Sequence, residues 1–150
     1  MVFDATEVEF QITHEALNFT AEDIGQALKL FGQRLLTLLY SPQILAIRRL
    51  MTSEAGRSGP WKTCHEQGIL RSQADLGEFL QNAMNTGKLK QADARIAALH
   101  LVGLLESEWT ASFLFQNQIA ISSEDINATV SRAVTVFMMA YGPANSNSTD

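Results

Sequence analysis

Few residues of this 150-residue chain are of a type and spacing that could do chemistry. The sequence holds three histidines and one cysteine. Cys64 and His65 are neighbours, and on a helix their side chains would point about 100° apart, which is poor geometry for a shared metal ion. We find no nucleophile beside a base, no glycine-rich phosphate loop and no pair of carboxylates isolated in a polar cleft. We therefore expect no enzymatic activity, no metal and no cofactor.

The charge balance also narrows the function. Eleven Lys and Arg face 16 Asp and Glu, and the first 25 residues contain six acids with no Lys or Arg. Surfaces that bind nucleic acid need a basic footprint, so we expect no direct nucleic-acid binding by this chain. The start MVFDATEVEF has no signal-peptide pattern, and no uncharged apolar run reaches about 18 residues. We expect a cytoplasmic protein without a membrane contact.

Apolar residues recur at helical spacing along most of the chain, which predicts an all-α fold. Val8, Phe10 and Ile12 alternate as in a strand, but nothing nearby could pair with one, so residues 2–18 are interpreted as helix. We expect a six- to seven-helix bundle over residues 20–142 and a disordered polar tail over 143–150. The predicted helices begin after Thr20, at Pro42, at Pro60, at Ser72, at Asp93 and at Ser122 or Ser123.

The last two helices are apolar around most of their circumference, and such helices must be buried nearly all round. A domain of this size cannot place both in its centre, so we expect a homodimer in which they form an intermolecular four-helix bundle. The alternative is a monomer with one central helix. The predicted dimer-interface residues are Leu104, Phe115, Ile126, Val130, Val134, Phe137, Met138 and Tyr141.

Several segments carry a resemblance to a known family. The stretch LLTLLYSPQILAIRRLMTSEA (residues 35–55) has the Ser41-Pro42 junction, the Arg48-Arg49-Leu50 segment and a Glu54-Ala55 ending. Gly87-Lys-Leu and DARIAALHLVGLL (residues 93–105) follow. Over about residues 20–116 the sequence resembles the ligand-binding half of TetR-family transcriptional regulators, in particular the AefR-like C-terminal domain.

The resemblance implies a function. In that family a three-helix N-terminal domain with a helix-turn-helix binds operator DNA, and the C-terminal domain binds a small effector and dimerises through its last two helices. Residues 1–19 would be the helix that links the two, and the sequence contains no helix-turn-helix. The chain is then either a piece of a longer regulator or a protein without the DNA reader. It is expected to act as the effector-sensing half of a repressor; the alternative is a helical adaptor or decoy that forms mixed dimers with a full-length regulator.

An effector pocket should be mostly apolar with a few polar groups. The candidate lining residues are Trp61, Cys64, Phe79, Met84, Leu101, Leu105, Glu108, Trp109 and Phe113. Each apolar residue of this set could instead belong to the hydrophobic core without contacting a ligand. Glu108 either recognises the ligand or lies at the rim of the dimer interface, where it is partly solvated or pairs with Arg132 of the partner subunit.

Two further side chains need partners. His100 could bond the ligand or be a satisfied interface histidine. Arg48 and Arg49 lie in the middle of a helix, so one of them must face inward or sideways. We expect it to pair with Glu54 or with an acid on a neighbouring helix.

Overall fold

Six α-helices, without a strand, make up the part of the chain that the computed structural model describes, residues 23–53, 68, 70–116 and 119–143. The helices are α1 (Ile24–Leu39), α2 (Pro42–Ser53), α3 (Arg71–Asn85), α4 (Ala94–Glu106), α5 (Thr110–Phe115) and α6 (Ser123–Tyr141). The predicted all-α class is confirmed. The predicted linking helix, the segment around Trp61 and Cys64, and residues 144–150 lie outside the described residues.

Polar side chains set where the helices begin. Ser122 caps α6 and forms a reciprocal pair of hydrogen bonds with Asp125, and Asp93 caps α4. For α1 the prediction placed Asp23 inside a first turn that begins after Thr20. The structure instead uses Asp23 as the cap: its Oδ1 accepts hydrogen bonds from the N–H groups of Gly25 and Gln26. Asp is as good a cap as Thr, and it lies directly before Ile24, the first buried apolar residue of α1.

A glycine follows the end of α3. The chain turns after Thr86, and Gly87 has a φ of 79°, a left-handed conformation that an L side chain rarely adopts. The N–H groups of Lys88 and Leu89 both reach the carbonyl of Ala83. This turn leads Leu89 back into the core, where it is 2% exposed.

The helix that was predicted to begin at Asp93 is broken after Glu106, which separates α4 from α5. Residues 107–109 form a turn in which the Trp109 N–H bonds to the Glu106 carbonyl, one residue short of the helical spacing. The Ser107 hydroxyl donates to the Leu104 carbonyl and the Thr110 hydroxyl to that of Glu106. Hydroxyl side chains that bond the backbone compete with a regular helix, which is why the apolar periodicity alone missed the break.

The core lies where α1, α4 and α6 meet, since each packs on the other two, while α3 packs on α4 and α2 on α1. Hydrogen bonds between His100 and Tyr141, and between Trp109 and Thr129, show that α4 and α6 run antiparallel. Gly32 lets α1 approach closely: a Cβ there would lie 2.9 Å from Leu105 Cδ2 and 3.0 Å from Val130 Cγ1. Within the described ranges no helix is long and apolar enough to cross a membrane.

Candidate functional site

The structure brings most of the predicted pocket residues together. Met84, Leu101, Leu105 and Phe113 are buried in one apolar cluster. Phe79 and Trp109 are partly buried and pack against that cluster. Trp61 and Cys64 lie outside the described residues. The six described apolar candidates therefore belong to the hydrophobic core of the subunit or border it, and their role as ligand contacts stays a prediction.

A hydrogen-bonded chain ties the α4–α5 turn to α6. The Trp109 Nε1–H donates to Thr129 Oγ1 over 3.0 Å, and the Thr129 hydroxyl donates to Glu108 Oε1 over 3.2 Å. Thr129 is 0% exposed, so its hydroxyl needs both bonds to offset the loss of water. These two hydrogen bonds fix the indole ring of Trp109 at the edge of the apolar cluster.

Glu108 lies on the surface, with its carboxylate neutralised from within the same subunit. Arg132 Nε donates to Oε2 over 2.8 Å and Arg132 Nη2 to Oε1 over 2.6 Å. These bonds hold the pKa of Glu108 below its usual value. The pairing with Arg132 of the partner subunit was therefore wrong, because the Arg132 of its own chain is within reach on the antiparallel α6.

A polar cluster that sequence reasoning found only in part lies at the end of α4. Arg48 Nη2 donates to Glu106 Oε1 over 2.6 Å, and the Tyr40 hydroxyl donates to the same oxygen over 3.2 Å. The Arg48 guanidinium also lies 4.4 Å from the centroid of the Phe113 ring. Burial, and secondarily the negative charge of Glu106, raises the pKa of Tyr40 to about 12. The expected acid on a neighbouring helix is thus Glu106, which no spacing in the sequence singled out.

Arg49 completes the link between α2 and α5. Its Nη1 donates to the Phe113 carbonyl over 2.8 Å and its Nη2 to the Gln116 carbonyl over 2.5 Å. These are carbonyls at the C-terminal end of a helix, where no further helical N–H is available. One of the two arginines was predicted to face inward or sideways, and the structure gives partners to both.

Four of the predicted dimer-interface residues belong to the subunit's own core. Ile126, Val130, Val134 and Phe137 are between 0% and 7% exposed because they face α1 and α4. This corrects their assignment to the partner-facing surface, since side chains already covered within one subunit have no area left for a second. Leu104, Met138 and Tyr141 are partly buried against the same core. Phe115 is 84% exposed, and the interface prediction stands for it.

Apolar residues of α4 and α6 are also exposed to solvent, on the sides of these helices that do not face the core. On α4, Leu99 is 39% exposed, and a Cβ on Gly103 would meet no atom within 4 Å. On α6, Val136 is 49% and Met139 is 78% exposed. We call these four residues the outward face. His100 is also exposed, but its Nδ1 makes a short hydrogen bond with the Tyr141 hydroxyl, so it has a partner within the subunit.

One family model matches most of the chain, and two solved structures share its fold. The family model described as "AefR-like transcriptional repressor, C-terminal domain" matches residues 26–143. A crystal structure of a putative TetR-family transcriptional regulator from Mesorhizobium loti MAFF303099 superposes with a TM-score of 0.84 at 23% identity, covering 94% of this chain and 71% of that one. The Flavonoid-responsive Regulator FrrA gives a TM-score of 0.73 at 19% identity, covering 95% and 74%. The comparison with curated protein sequences finds no match.

Proposed function

Because the chain belongs to the AefR-like C-terminal domain family of TetR-type repressors, we propose that it is the effector-sensing and dimerisation half of a transcriptional repressor. TetR-family regulators act as dimers that bind DNA and small-molecule effectors. In this proposal an effector favours one arrangement of the helices and thereby controls DNA binding by a neighbouring domain in the cytoplasm. The chain itself binds no DNA and catalyses no reaction.

The observation that carries the dimer is the outward face. α4 and α6 bury their other sides in the subunit core, yet both leave apolar side chains in water on this one. Arg132, an exposed charge on α6, is already paired with Glu108. Two adjacent antiparallel helices that both leave apolar side chains exposed can pack on a second copy of themselves across a two-fold axis.

One substitution tests that location. Met139→Glu places a charge in the centre of the outward face, and because the side chain is 78% exposed in the subunit, the fold should be unaffected. We expect light scattering to show the mass of one chain, with an unchanged circular dichroism spectrum. Asn82→Glu, on an exposed position of α3, is the matched control and should leave the dimer intact. A Met139→Glu protein that keeps the dimer mass would place the interface elsewhere.

The sensing half of the proposal concerns the apolar cluster. Met84, Leu101 and Leu105 are almost fully buried and apolar, while Phe79 and Trp109 lie at its border. Flexible methionine and aromatic side chains repack readily around small apolar molecules. A small, largely apolar effector is therefore the class that this region suits.

A thermal-melt screen of small apolar compounds tests it, with flavonoids included because one structural relative is described as flavonoid-responsive. A compound at 100 times its Kd should stabilise the fold by about 2.7 kcal/mol. Phe79→Trp fills space at the border of the cluster and should abolish the stabilisation, whereas Asn82→Glu should retain it. A hit that works equally on Phe79→Trp would bind outside the cluster and contradict the assignment.

A further inference from the structure

Helix α2 is held to the subunit with little apolar packing. It buries only the side chains of Ile44 and Leu45, whereas α1 buries eight residues. Leu50, on the same helix, is 46% exposed. Apolar burial is the main force that keeps a helix in place. Separating α2 from the rest of the subunit would therefore expose far less apolar surface than separating α1.

Two adjacent arginines replace that missing packing. Arg48 reaches the Glu106 carboxylate at the end of α4 over 2.6 Å and the Leu39 carbonyl over 3.0 Å. Arg49 holds the carbonyls of Phe113 and Gln116. We call these two side chains with their partners the arginine clamp. Its hydrogen bonds are charge-assisted and therefore strong, but water can replace them when they open.

The arginine clamp closes on the wall of the apolar cluster. Both guanidinium groups lie over the Phe113 ring, with centroid distances of 4.4 Å for Arg48 and 5.1 Å for Arg49. Phe113 is one of the buried candidate lining residues, and Glu106 directly follows another, Leu105. The side chains of Arg48 and Glu106 are 21% and 23% exposed, so solvent already reaches the ion pair.

We propose that α2 is a strap that opens from α4 and α5 as a unit, that the arginine clamp is its fastening, and that its opening gives small molecules access to the apolar cluster. The access of small molecules to the apolar cluster rests on the proposed effector site, whereas the separate opening of α2 does not. A helix with little buried apolar surface and solvent-accessible polar links opens at a lower free energy than the core of the same domain.

Hydrogen–deuterium exchange on the intact chain tests the strap. In the Arg48→Ala/Arg49→Ala variant the amides of α2 should exchange about tenfold faster or more, because charged hydrogen bonds of this kind are lost, while those of α1 and α6 stay unchanged. Arg132→Ala is the matched control: it also breaks an Arg–Glu pair, on α6, and should leave α2 exchange unchanged. Unchanged α2 exchange in the double variant would overturn the clamp.

The wild-type chain decides the matter if the double variant does not fold. In low denaturant its α2 amides should exchange ahead of those of α1 and α6. Exchange of all three helices together, as one cooperative unit, would overturn the strap.

Fluorescence quenching tests separately whether opening of α2 gives small molecules access to the apolar cluster. Trp61→Phe leaves Trp109 as the sole tryptophan of the chain. In the Trp61→Phe chain, acrylamide should quench Trp109 fluorescence more strongly when Arg48 and Arg49 are replaced by alanine. Equal quenching would contradict the proposal that opening of α2 gives access to the apolar cluster. Light scattering on the same samples distinguishes the proposed dimeric regulator from the proposed opening of α2. If the wild-type protein has the mass of one chain, the dimeric regulator is contradicted, and the hydrogen-exchange result is unaffected.

Discussion

Tyr40 shows how burial and a neighbouring charge act together on one side chain. It is 7% exposed, and its hydroxyl donates to Glu106, whose negative charge disfavours a phenolate. Arg48 opposes this, but burial has the largest effect, and the pKa rises to about 12. The folded chain therefore holds this proton more tightly than the unfolded chain does.

A titration checks this. The unfolded phenol loses its proton near pH 10.0 and the folded one near 12, so the folded state should lose stability as the pH rises between these values. Tyr141→Phe leaves Tyr40 as the only tyrosine, and its phenolate absorbance should then titrate with a midpoint near 12. Circular dichroism confirms that the chain stays folded during the titration. A midpoint near 10 in a folded chain would contradict the buried position of Tyr40.

Single residues also show the limit of reading pairs from a sequence. The need of Arg48 for an acid was predictable from its place in mid-helix, but the identity of that acid was not. Glu106 is 58 residues away, and only the crossing of α2 with the end of α4 brings the two side chains together. For Glu108 the sequence offered Arg132 only as a partner from the second subunit, because the antiparallel contact of α4 and α6 is not visible in the spacing.

At the scale of elements, local signals placed the helix ends and missed what tertiary contacts decide. Ser122, Asp93 and Gly87 do what their residue types predict. The break after Glu106 was missed because it depends on hydroxyl-to-backbone bonds and on a tertiary bond from Trp109 to Thr129. Apolar periodicity is nearly continuous across that break and carries no sign of it.

The meeting of three helices at Gly32 gives a prediction at this scale. Gly32→Ala would force a methyl group into contact with Leu105 and Val130, so we expect a loss of about 1–3 kcal/mol in the free energy of unfolding. Gly77→Ala in α3 is the control, because the nearest atom to its Cβ would be the Ala94 carbonyl oxygen at 3.9 Å. That change should stabilise the chain by up to about 1 kcal/mol through helix propensity. Denaturant unfolding measures both, and a neutral Gly32→Ala would contradict the close approach.

At the scale of the whole molecule, the sequence predicted the fold class and the family, and the comparisons confirm both. It did not identify the face of α6 that is left for a partner. Ile126, Val130 and Val134 form the more regular apolar stripe, and α1 and α4 already cover that stripe. The open stripe, with Val136 and Met139, is interrupted by polar residues. The spacing of apolar residues shows that a helix has an apolar face. Whether that face is covered by the same subunit or by a second one depends on how the other helices pack.

The account depends on a second copy of the chain covering the outward face. Light scattering of the unmodified chain over a range of concentrations tests this most directly. We predict a particle of twice the 16.5 kDa chain mass that persists on dilution, as expected for a subunit pair joined through two helices from each chain. A well-folded particle of 16.5 kDa at every concentration would contradict the account.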